Sequence, residues 1–160
     1  MTLASLLSEP QIALDLTATT RWGAIEELAA RLFELKLLPE CDRECVMGLL
    51  REREVRLSTG IGSGVAIPHA LCPHVDHVVA VMGRSVDGID FAAIDKAPVH
   101  LIVLFVVPER EYRLRLETLS AIGKSLTRAD LRQRLMRARS TAEVLAVLSG
   151  RPGSRTQMLR

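Results

Sequence analysis

The chain has 160 residues and a mass of 17.6 kDa, with 21 Lys and Arg against 19 Asp and Glu, for a net charge of +2. That length suits one domain of roughly 100–200 residues, and a hydrophobic content of 48% excludes a disordered chain. A charge this close to neutral, with only 3% aromatic residues, argues against a nucleic-acid surface, which needs a basic patch and stacking rings. The three cysteines, Cys41, Cys45 and Cys72, are an odd set without framework spacing, as expected in a reducing compartment. The opening MTLASLLSEP lacks a basic segment, and its apolar run is too short for a signal peptide. The longest apolar stretch, Val99 to Pro108, contains His100 and falls far short of the ~20 residues of a membrane span. The expectation is a soluble cytoplasmic protein.

Residues 11–16, QIALDL, read as a weak first strand. Over residues 20–36, Ile25, Leu28, Ala29, Leu32 and Leu35 recur at helical spacing, with Glu26, Glu27, Arg31 and Glu34 on the other side and Thr19 or Thr20 as N-cap. Pro39 is expected to open a second helix running to about Arg53. Residues 57–64, LSTGIGSG, read as a loop, because Gly60, Gly62 and Gly64 suit neither helix nor strand. Three Val- and Ile-rich runs, Val65–Ile67, Val78–Gly83 and Val99–Val107, read as strands. The last is apolar on both faces apart from His100, which suits a central strand covered on each side. Beyond Pro108, Tyr112, Leu116, Leu119, Ile122 and Leu126 form one helical stripe. Thr127 to Asp130 resembles a cap before a short helix through Ala138, and Ser140-Thr-Ala-Glu143 fits a capping box for a last helix through Leu148. Strands in the middle and helices at both ends predict an α/β fold: a three-layer domain with a central mixed β-sheet flanked by helices. Residues 1–149 are expected to form that one domain, and 150–160 a flexible tail.

The chemistry lies in Ser58-Thr-Gly-Ile-Gly-Ser-Gly-Val-Ala-Ile-Pro-His69-Ala70. A dinucleotide fingerprint G-x-G-x-x-G fits Gly60 and Gly62 but meets Val65 where its third glycine belongs. Gly123-Lys124-Ser125 resembles the end of a P-loop, but the earlier glycine position holds Thr118. The glycine stretch leads into an apolar run rather than a helix, so no helix N-terminus is there to hold a phosphate, although successive N–H groups can still make a small anion nest. Ser63 does not sit in a G-x-S-x-G elbow. His69, Cys72, His74, Asp76 and His77 crowd together, but their spacing matches no common zinc site and Pro73 stiffens its centre. No metal and no cofactor is called for. Pro68 fixes the backbone just before His69. A neutral imidazole there keeps a lone pair near pH 7 and can act as a nucleophile, while a backbone carbonyl holds its other nitrogen. The same histidine also reads as a satisfied structural residue; the residues alone leave both readings open.

Arg53-Glu54 followed by that stretch resembles the active-site signature of enzyme IIA of the mannitol/fructose class of the bacterial phosphotransferase system. Phe91-Ala-Ala-Ile-Asp-Lys-Ala-Pro-Val99, and Leu116-Glu-Thr-Leu-Ser120 after Val107-Pro108, agree with it. The Ser-Thr-Gly-Ile-Gly and Phe-x-Ala-Ile-Asp wording is most similar to the nitrogen-regulatory branch, and the likeness covers about residues 5–148. The resemblance implies a phosphoryl carrier. His69 takes a phosphoryl group on Nε2 from an HPr-like phosphocarrier, Arg53 forks the phosphate oxygens, and Thr59, Gly60, Gly62 and Gly64 supply loop donors. One position departs: where the family carries a second histidine in a His-Leu-x-x-Leu pattern, this chain has Arg115, in Arg115-Leu-Glu-Thr-Leu119. Arginine keeps the donor role and makes the charge permanent, but it cannot shuttle a proton. Three functions follow from the resemblance. They are a nitrogen-regulatory IIA with unnamed targets, a sugar-branch IIA that hands its phosphoryl to a separate IIB component, and a phosphorylation-inactive binding module, which Arg115 keeps open. The first two are phosphohistidine carriers rather than enzymes turning over a small molecule.

Overall fold

The structure is a computed structural model describing residues 1–151. The part of the predicted tail from residue 152 onward lies outside the described residues. Gly150 and Arg151 close the last helix by donating to the carbonyls of Val147 and Ala146 at 3.2 and 3.0 Å, with Gly150 at φ +72°.

Six strands form one mixed sheet: β1 (Ile12–Ala13), β2 (Gly60–Gly62), β3 (Val65–Ala66), β4 (His69–Cys72), β5 (Val79–Ile89) and β6 (Val99–Pro108). The order is β1-β5-β6-β3-β2, with β4 also paired to β6. β5 runs antiparallel along one edge of β6. β3 and β4 lie in line on the other edge, both parallel to β6, with Val65 opposite Leu101 and His69 opposite Phe105. The other edge of β4 carries no strand among the described residues.

Side-chain alternation along β6 builds the layers. Ile102, Leu104 and Val106 pack with Ile25, Leu28 and Leu32 of α1 (Arg21–Glu34) and Leu50 of α2 (Arg43–Arg56). Leu101, Val103, Phe105 and Val107 pack with Ile122 and Leu126 of α3 (Tyr112–Leu126), Leu131 of α4 (Ala129–Arg137) and Val144 of α5 (Thr141–Leu148). The predicted three-layer α/β architecture is thus the observed one, and β6 is its central strand.

The local signals are met unevenly. Thr20 Oγ1 accepts from Gly23 N at 3.1 Å and caps α1. Ser140 Oγ caps α5 through Glu143 N at 3.1 Å, but the Glu143 carboxylate reaches back to Arg139 N at 2.8 Å rather than to Ser140 N, so the capping box is half made. Pro39 opens a 3-10 turn over Glu40–Asp42, and the α-helix begins only at Arg43. The stripe on α3 is buried only in its second half. Tyr112 and Leu116 are exposed, because the helix starts beyond the end of the sheet.

The predicted 57–64 loop is a correction. Gly60–Gly62 is a strand that turns through Gly62, Ser63 and Gly64, all at positive φ, into β3. Gly60 is pressed against Ala93, where an added Cβ would stand 2.8 Å from its Cβ and 3.0 Å from its Cα. Gly48, in the middle of α2, has nothing within 4 Å. Gly48→Ala should therefore stabilise the protein by about 0.5–1 kcal/mol through helix propensity, and Gly60→Ala should cost about 1–3 kcal/mol by overpacking. Urea denaturation of the two variants checks both signs.

Candidate functional site

Pro68 makes no ladder donation of its own, but its carbonyl accepts from Phe105 N at 3.1 Å and steers the chain back onto β6 at His69. The imidazole then lies flat against the Phe105 ring, centroids 5.0 Å apart and planes 6° from parallel. His69 Nδ1 is 3.0 Å from the Ile67 carbonyl. A carbonyl can only accept, so Nδ1 carries the proton, and in the neutral ring Nε2 holds the lone pair. Nε2 makes no hydrogen bond among the described residues. The one buried side-chain nitrogen or oxygen without a partner there is Arg115 Nε, so His69 Nε2, though its residue is only 5% exposed, is open to the space in front of it.

That space is a pocket of about 230 Å³ lined by His69, Ala70 and Leu71 of β4, Leu49, Glu52, Arg53 and Arg56 of α2, Glu109, and Arg115 of α3. Two helices from opposite layers meet at the free edge of β4. Arg53 is half-buried and donates Nη1 to the Leu57 carbonyl at 2.8 Å, capping the C-terminus of its own helix. Its other N–H groups bond no acceptor among the described residues. Arg56 lies one turn on and makes only a 3.5 Å contact with Glu52. The Arg115 guanidinium carbon sits 4.6 Å from the Tyr112 ring centroid. Three guanidinia thus face two carboxylates around one neutral imidazole. Burial pushes the His69 pKa below its ordinary 6.5, the Ile67 bond opposes this, and the positive charges of Arg53 and Arg115 add to the lowering.

His69, Arg53 and Arg115 are therefore brought together; Thr59, Gly60, Gly62 and Gly64 are not. Those four, expected to supply donors to a phosphate, do not line this pocket. Gly62 and Gly64 flank the turn at Val65, which lies about 13 Å from His69 along β6, four residues at roughly 3.3 Å each, whereas Thr59 is nearer, its carbonyl accepting from Ile67 N at 3.0 Å. Four donors of this stretch, none of them on Gly62 or Gly64, are taken. Thr59 N and Oγ1 give to the Glu54 carboxylate at 3.2 and 2.6 Å, Gly60 N to Ser58 Oγ at 3.0 Å, and Ser63 N to Asp95 Oδ2 at 2.9 Å. A carboxylate of the chain itself sits where an anion nest would open. Thr59 has another task. Glu54 is 1% exposed, receives these Thr59 bonds and lies 3.7 Å from Arg21 Nη1, which fixes the end of α2, and Arg53 with it, to the chain leading into β2.

Arg56 and Glu109 escaped the sequence reading. Arg53 and Arg56 are three residues apart on one helix, a spacing that could have found the former; no local signal marks Glu109. His74 Nδ1 pairs with Asp42 at 3.0 Å and His77 with Asp76. Among the described residues no three His, Cys, Asp or Glu side chains converge as a metal site would require. No helix there is long and apolar enough to cross a membrane.

The model of the family described as phosphoenolpyruvate-dependent sugar phosphotransferase system, EIIA 2, matches residues 5–150. The chain belongs to that family. It is 30% identical over 154 residues to a nitrogen regulatory protein of Bradyrhizobium diazoefficiens, covering 96% of this chain and 99% of that one. It is 31% identical over 149 residues to the fructose-specific EIIABC component of Bacillus subtilis, covering 93% of this chain but spanning only 23% of that larger protein. The nitrogen regulatory protein IIA-Ntr of Neisseria meningitidis superposes with a TM-score of 0.81 at 32% identity, covering 91% of this chain and 98% of that one. Identity alone does not separate the regulatory from the sugar branch.

Two results are expected from this EIIA site. Because its pKa is depressed, His69 should stay neutral as pH falls through 6.5 and protonate only below it. The stability gained from the neutral ring is complete above pH 6.5 and lost as pH falls through the lowered value. With Glu52, Arg53 and Arg56 facing the ring from α2, Arg115 from α3 and Glu109 beyond β6, Arg53→Met and Arg115→Met should each move the titration upward. Nitrogen NMR of the ring across pH reads both. Thr59→Val should cost about 1.5–3 kcal/mol, the worth of a hydrogen bond to a charged group, measured as a lower urea midpoint at unchanged slope.

Proposed function

We propose that this EIIA protein carries a phosphoryl group on His69 Nε2, takes it from a phosphohistidine on an HPr-like phosphocarrier protein, and works in the nitrogen-regulatory branch. The observation that carries the reading is the Nδ1–H bond to the Ile67 carbonyl, which leaves an Nε2 lone pair facing Arg53 and Arg115. In the transfer, that lone pair forms a new N–P bond while the donor N–P bond breaks and the donor nitrogen keeps its electron pair. Both bonds are of one kind, so the step is close to balanced and runs in either direction. The transition state is loose and spreads charge over the equatorial oxygens. Fixed donors and prior positioning are then the catalytic means, and two guanidinia supply them. A phosphoryl group at His69 turns a pocket rich in positive charge into a negative one, which changes the partner surface it fits and is the basis of a regulatory output. Transfer onward to a separate IIB component is the second reading, favoured by the likeness to the fructose-specific protein.

Incubation with a labelled, phosphorylated HPr-like carrier tests the proposal. The wild type takes label and His69→Ala takes none; absence of label on both leaves an EIIA-like binding module. Arg53→Ala, still folded, should slow labelling by roughly 10²-fold, the scale of one lost transition-state donor. Arg115→His should make the rate vary with pH near 6.5, where a histidine changes charge. An unaltered pH profile would remove Arg115 from the transfer step.

A further inference from the structure

The unphosphorylated pocket is unbalanced in its hydrogen bonding. Arg115 Nε is buried without an acceptor among the described residues, while its guanidinium is held against Tyr112. That Nε–H is closed to water and to a ligand alike, whereas the Nη groups of Arg115 bond no acceptor among the described residues and are the ones a ligand in the pocket can reach. Arg53 uses only Nη1 on the chain, and Arg56 has one long contact. Beside the Glu52 and Glu109 carboxylates stands one neutral acceptor, His69 Nε2, whose lone pair is fixed there because the ring proton is committed to Ile67. A ligand that fits must therefore accept from guanidinia and, at the same time, donate to an imidazole.

We propose that the unphosphorylated pocket is a receptor for a free oxyanion that still carries a proton, inorganic phosphate being the simplest, and that its occupancy blocks phosphoryl acceptance. Hydrogen phosphate has both faculties: bare oxygens for Arg53 and Arg115, and an O–H for Nε2. Sulfate at neutral pH offers only acceptors and sets an oxygen lone pair against that of Nε2. The space of about 230 Å³ admits the ion with several waters, each needing roughly 30 Å³. Once His69 is phosphorylated, its own phosphoryl group fills the position and the receptor closes. The blocking half of this inference rests on the carrier reading above; the receptor half does not.

The experiment titrates inorganic phosphate, and separately sulfate at matched ionic strength, into the unphosphorylated protein while the His69 ring nitrogens are followed by NMR. Phosphate should shift Nε2 to saturation and bind at least about tenfold more tightly than sulfate, the margin of one hydrogen bond to a charged group. Arg115→Met should lose the effect, and Arg115→Lys, which keeps the charge without the guanidinium fork, should retain part of it. In the labelling assay phosphate should raise the apparent KM for the phosphorylated carrier and leave the maximal rate unchanged. Ring signals indifferent to phosphate, or equal affinity for sulfate, overturn the proposal. Labelling that proceeds untouched by phosphate overturns the blocking and leaves the carrier reading standing. A protein that binds phosphate but never takes label overturns the carrier reading and leaves the receptor standing.

Discussion

A single hydrogen bond, from His69 Nδ1 to the carbonyl two residues before it, decides what this site can do. It fixes the tautomer, so the lone pair is on the nitrogen that faces the pocket, and with the Phe105 ring it fixes the plane of the imidazole. A strand supplies this more firmly than a loop would. Phe105 N holds the Pro68 carbonyl, and the next four residues pair with β6, so the histidine backbone has little freedom. Burial and two nearby guanidinia then keep the ring neutral. The cations that would assist a phosphoryl group are the same ones that keep its acceptor in the reactive state.

The site also needs both layers of the domain. α2 lies over one face of the sheet and α3 over the other, and only at the free edge of β4 do Arg53 and Arg115 reach the same space. The buried Glu54 carboxylate, held by Thr59, ties α2 to the start of the sheet. Removing either partner would leave a charge or a donor stranded in the interior. The residues from Ser58 to Gly64 thus sit outside the lining of the pocket.

The sequence reading succeeded where a signal was periodic or chemical. The run of apolar residues on both faces of Val99–Val107 identified the central strand, and Thr20 and Ser140 marked helix starts that are capped as expected. It failed where tertiary placement overrides local preference. Gly60–Gly62 is a strand because β3 lies alongside to pair with it, and at Gly60 the absence of a side chain lets it close against Ala93 and Phe91. His69–Cys72 is a strand although Pro68 interrupts the apolar run, because the edge of β6 is long enough to take two short strands in line. The glycine-rich segment reads as a small anion nest, and nothing in its wording reveals that Glu54, Ser58 and Asp95 take four of its donors.

By itself the sequence determined the class of fold, the family resemblance, and the places of His69 and Arg115 in its motifs, because each rests on residue type, spacing or alternation, which are local. The tertiary structure alone decided which side chains share a pocket, which ring nitrogen is free and which donors are spent. Those depend on which elements meet at the edge of β4, and contacts between residues far apart in the chain leave no periodic trace in it.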